Sequence, residues 1–160
     1  MTRILERPLS ENQQDFSSGS SAKGTRRKGR ELALQALYQI EMTGDASATA
    51  VDSFLRHFEG NPAAKEFARG LVWGTVSQRA AIDRLIDQST ENWKFGRLAK
   101  VDLMILRMAT YELVFCPDIP KAVSLDEAIE ISKRFGTEES APFINGVLDQ
   151  IAQSSGVKSD

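Results

Sequence analysis

The chain has 160 residues, 41% hydrophobic and 26% charged, with a formal net charge of -2. That suits one soluble globular domain and gives no bulk attraction to nucleic acid. A single cysteine, Cys116, excludes an intramolecular disulfide, and with His57 as the only histidine a zinc site of the usual Cys/His kind is excluded too. No apolar run approaches the roughly 18 residues that would cross a bilayer, and the N-terminus lacks the apolar stretch of a signal peptide, so the expected location is cytoplasmic.

The charge is unevenly spread. Residues 1–30 carry seven Lys/Arg against three Asp/Glu, and residues 31–160 carry thirteen against nineteen. A basic start on an acidic body suggests a localised anionic partner. Residues 1–24 read as a disordered arm, because Glu11–Gly24 is polar and Ser/Gly-rich with Phe16 as its only large apolar group.

A helix is predicted from Thr25, as its cap, to about Met42. Leu32, Ala33, Ala36, Leu37 and Ile40 form its apolar stripe and Gly44 ends it. A second helix fits Ser47–Glu59 through Val51, Phe54, Leu55 and Phe58. A third runs from Pro62 to about Gln88 on Phe67, Leu71, Val76, Ile82, Leu85 and Ile86. After a loop over Ser89–Gly96, Leu98–Phe115 is apolar nearly all round, which predicts a central helix surrounded by others. Ser124–Glu127 has the form of a capping box for a helix ending at Phe135. Pro142 belongs in the first turn of a last helix that buries Ile144, Val147, Leu148 and Ile151. The prediction is an all-α chain of five to seven helices, with residues 154–160 as a flexible tail.

Candidate functional residues gather at the first helix. Lys23, Arg26, Arg27, Lys28 and Arg30 are five cations in eight residues with no acid among them. Each phosphate that such a cluster neutralises releases condensed counterions, and the N-terminus of a helix adds amide donors. Charge alone leaves a phosphate grip and a solvated arm equally open. Tyr38 lies off the apolar stripe and could stack on a base or edge the core; Phe143, about 100° from the centre of the last helix's stripe, could stack on a base or wedge against a helix. Acidic groups such as Asp126/Glu127/Glu130 are explained by helix starts. No catalytic residue, metal site or cofactor is expected.

Three segments carry a family resemblance. Arg26–Tyr38 (RRKGRELALQALY), Leu98–Leu113 (LAKVDLMILRMATYEL) and Pro120–Ile151, with its phrases DEAIEISKRFG and FINGVLD, resemble NusB transcription antitermination proteins. The resemblance covers about Thr25–Gln153, so the domain is expected over 25–153. It implies about seven helices arranged as two small bundles, and a non-enzymatic function. It further implies binding, with ribosomal protein NusE, of the single-stranded boxA element of ribosomal RNA transcripts, within an RNA polymerase antitermination complex that holds other Nus factors. Carried over by position, the RNA-binding residues would be Arg26, Arg27, Lys28, Arg30, Tyr38 and Phe143, and the partner-binding acids Asp102 and Glu139. Lys28 stands where an arginine is common, keeping the charge but losing the planar fork. Members of the family include monomers and homodimers, which leaves the oligomeric state open.

Two other readings stand beside this one. The fold also precedes the catalytic domain of some rRNA cytosine methylases, but no glycine-rich nucleotide loop is present here. A purely protein-binding adaptor would ignore RNA. Salt separates the two, since about four phosphate contacts should make single-strand binding fall roughly 50-fold between about 50 and 200 mM.

Overall fold

The computed structural model describes residues 22–90 and 98–157. Among these residues there are seven helices and no strand: α1 (Ala22–Thr43), α2 (Ala48–Arg56), α3 (Pro62–Ser77), α4 (Arg79–Gln88), α5 (Lys100–Phe115), α6 (Lys121–Phe135) and α7 (Ser140–Ser154). They fall into two compact units that divide between Trp73 and Gly74. Most of the expected arm, and the loop around Trp93, lie outside the described residues.

In the first unit α1 begins at Ala22, three residues before the predicted cap. Thr25 does not cap it; its hydroxyl instead accepts a hydrogen bond from Asn61 Nδ2 at 3.2 Å. Of the predicted stripe Leu32, Ala33, Ala36 and Leu37 are buried and Ile40 is half-buried, yet every residue from Lys28 to Tyr38 is buried with them. Gly44, at φ 76°, ends the helix where the left-handed backbone favours glycine, and its N–H closes on Ile40 at 2.7 Å. Ser47 caps α2 by accepting from the Ala50 N–H at 3.1 Å, and α2 buries Val51 and Leu55. Arg69 of α3 pairs with Asp52 of α2 at 2.9 Å.

The predicted third helix is two helices. It breaks at Gln78, where the backbone leaves the helical region and the Ser77 hydroxyl donates back to the Gly74 carbonyl at 3.1 Å. No glycine or proline marks this break, and the apolar period runs through it, so the residues gave no warning.

The second unit is built on α5, which packs against α4, α6 and α7, while α6 and α7 pack on each other. Val101, Leu103 to Leu106, Met108, Ala109 and Leu113 of α5 are buried, as expected for a central helix. Its polar residues Arg107, Thr110 and Glu112 are buried too. Arg107 forks onto Asp83 of α4, with Nε to Oδ1 at 2.8 Å and the second nitrogen to Oδ2 at 3.0 Å. The predicted capping box is corrected. α6 starts earlier, after Pro120, whose φ of -59° leads into the helix, and Ser124 is buried within it, donating to Glu112 of α5 at 3.3 Å. The last helix matches its prediction, with Pro142 in the first turn and Ile144, Val147, Leu148 and Ile151 buried.

Gly74 shows how closely this unit packs. A Cβ there would clash with the phenol end of Tyr111, which stacks on Phe115 at 5.8 Å and whose phenol pKa burial pushes up. Gly74→Ala should therefore destabilise the protein by about 1–3 kcal/mol, although alanine is the better helix former by up to about 1 kcal/mol. Thermal unfolding checks this, and the Gly74→Ala/Tyr111→Ala pair should lose less than the two single changes combined.

Candidate nucleic-acid interface and partner surface

The cations of α1 do not share one environment. Arg26 is exposed and Arg27 half-buried, whereas Lys28 and Arg30 are only 4% and 2% exposed. Long cationic side chains are seldom buried so fully unless paired, and both residues have interactions within the protein. The helix thus divides its charge, with Arg26 and Arg27 accessible to a phosphate and Lys28 and Arg30 held inside. The sequence, which shows only a run of like charge, could not separate them.

Tyr38 is 1% exposed. Of its two open readings the burial favours the core one, and the ring offers no face to a base. Every residue from Lys28 to Tyr38 is buried, so lying off the main stripe does not bring a residue of this stretch to the surface.

The aromatic contact that sequence reasoning missed is Phe67 of α3, read there as a stripe residue. Its half-buried ring lies 5.3 Å from the Arg26 guanidinium carbon and 5.2 Å from that of Arg30. Nothing in the spacing of α3 could have indicated this, because the contact joins residues about forty positions apart in two helices.

In the second unit, Phe143 is half-buried in the first turns of α7, and its N–H donates to the Glu139 carbonyl at 3.3 Å. Asp102 and Glu139, far apart in sequence, come into one neighbourhood. The hydroxyl of Ser140, itself 1% exposed, donates to Asp102 Oδ1 at 2.7 Å, and exposed Glu139 immediately precedes it as the N-cap residue of α7. The Ser140 oxygen also accepts from the Thr137 N–H at 2.9 Å. Asp102 thereby ties the start of α5 to the start of α7, a link that carboxylate spacing alone does not reveal. Among the described residues no group of three or more His, Cys, Asp or Glu side chains could hold a metal ion, and no helix is long and apolar enough to cross a membrane.

The described residues, all-helical with accessible cations at the start of α1, define an all-α protein with a basic surface suited to an anionic partner. The NusB family model matches residues 27–153, and the chain belongs to the NusB family. It is 50% identical over 132 residues to the transcription antitermination protein NusB of Geobacter sulfurreducens, covering 82% of this chain and 96% of that protein. It is 47% identical over 128 residues to that of Desulfatibacillum aliphaticivorans, covering 80% and 90%. The family is one of transcription antitermination proteins and not of enzymes. Among solved structures, Thermotoga maritima NusB is 41% identical with a TM-score of 0.70, covering 80% of this chain and 90% of that one. A complex of antitermination factors NusB and NusE with double-stranded RNA shares the fold at a TM-score of 0.72 and 23% identity, covering 81% and 97%.

Proposed function

We propose that this chain binds the single-stranded boxA element of ribosomal RNA transcripts together with ribosomal protein NusE, and so keeps RNA polymerase transcribing rRNA operons in company with other Nus factors. The observation that carries this reading is the family match over residues 27–153, which takes in the basic helix from Arg27 onward and the FINGVLD segment in one continuous span. The solved NusB–NusE–RNA assembly supports the two kinds of partner.

In this reading Arg26 and Arg27 grip phosphates, and Lys28 and Arg30 build the base from which they project. Phe143 offers a ring to an unpaired base. Asp102 and Glu139 mark the surface for the protein partner, with Asp102 ordering that surface through Ser140. The working location is the cytoplasm, where transcription occurs.

The deciding measurement is binding of a boxA oligonucleotide against a scrambled control, with and without NusE. The proposal expects preference for boxA and tighter binding when NusE is present; equal affinity for both RNAs would overturn it. Phe143→Ala should weaken boxA binding by about 1–3 kcal/mol, the usual worth of a stacked base. Titration of the RNA with circular dichroism alongside checks this. Lost helicity without an RNA defect would instead assign Phe143 to packing.

A further inference from the structure

The first turns of α1 are held against α3 at two points, one on each side of Arg26. Asn61 makes the earlier one. Its Oδ1 accepts from the Ala63 N–H at 2.8 Å at the start of α3, while its Nδ2 donates to Thr25. Gly29 makes the later one. A Cβ there would lie 2.7 Å from Phe67 Cδ2 and 2.9 Å from the Ala64 carbonyl oxygen, so α3 comes this close only because position 29 has no side chain. Between these points the Phe67 ring meets the guanidinium of exposed Arg26.

We propose that Phe67 is a positioning residue for RNA, its ring holding the Arg26 guanidinium in the pose that meets a phosphate of the single strand. This rests on the RNA-binding reading above. An exposed arginine otherwise samples many rotamers, and ordering it on binding opposes affinity. A ring face attracts the cation through its quadrupole, and a guanidinium lying over it keeps its in-plane N–H donors free for phosphate oxygens. Phe67 need not touch RNA to act in this way.

The test is fluorescence anisotropy of a labelled boxA single strand with the full chain and NusE. Phe67→Leu should lower affinity about 2- to 5-fold, the effect of losing an exposed cation–π contact, while leaving the salt slope unchanged because the Arg26 charge remains. Phe67→Tyr, which keeps a ring face, should bind like the parent. In an Arg26→Ala background, Phe67→Leu should add nothing. Parent-like binding by Phe67→Leu, an equal loss with Phe67→Tyr, or an undiminished loss in the Arg26→Ala background would each overturn the inference. If Phe67→Leu does not fold by circular dichroism, Phe67→Met is judged by the same outcomes. A parent chain that does not bind boxA removes the RNA reading itself, whereas a binding parent with an indifferent Phe67 removes only this inference.

Discussion

Replacing Arg26 and Arg27 together with alanine should lower boxA affinity about 25-fold near 0.1 M salt and flatten the salt dependence. The magnitude follows from counterion release, since each phosphate contact on a single strand contributes about 0.7 to the slope of log K against log salt. Two lost contacts remove about 1.4 from that slope, which near 0.1 M is about 2 kcal/mol. The same two contacts account for only about a 7-fold fall between about 50 and 200 mM, against the roughly 50-fold expected of four. Because Arg26 is exposed and Arg27 half-buried, thermal stability should barely change. Arg30→Ala should behave oppositely. That side chain is 2% exposed, so its loss should appear as a lower melting temperature before any change in salt slope. Unaltered affinity and slope in the Arg26/Arg27 double variant would remove the phosphate grip from α1.

Asp83→Ala should be among the most damaging single changes in the second unit, costing about 2–3 kcal/mol. The carboxylate receives the planar fork of Arg107, whose side chain is 6% exposed while that of Asp83 is 26% exposed. Removing the carboxylate deprives a buried cation of a bidentate partner, and breaking fully buried pairs typically costs about 3–5 kcal/mol. The partial exposure of Asp83 and the further interactions of Arg107 reduce that figure. For a chain of this size the loss corresponds to a fall of roughly 4–12 °C in melting temperature. Arg107→Met, which removes the buried charge and keeps the apolar stem, should cost less than Asp83→Ala. Calorimetry on the two variants checks that order, and the reverse order would mean that the pair is held chiefly by packing.

Much of the fold could be read from residue order. The capped start of α2, the buried face of α7 and the all-round apolarity of α5 each follow from local spacing, because helical periodicity and capping involve residues at most a few positions apart. The misreadings were also local in origin. Ser124–Glu127 has the pattern of a capping box, but Pro120 had already begun the helix, and the break at Gln78 carries no glycine or proline. In the candidate site the residue types were legible and their exposure was not. Lys28 and Arg30 look like Arg26 in a sequence, and only their burial separates them.

The sequence by itself determined the helical class, the span of the family match and the concentration of cations at the first helix. These are properties of composition and short-range order. Tertiary structure decided which cations reach solvent, that Tyr38 is core, and that Ser140 joins Asp102 to the start of α7. It also set the Phe67 ring against Arg26. Each of these depends on contacts between residues distant in the chain, and such contacts are fixed by how close two helices can approach, as the bare position at Gly29 shows.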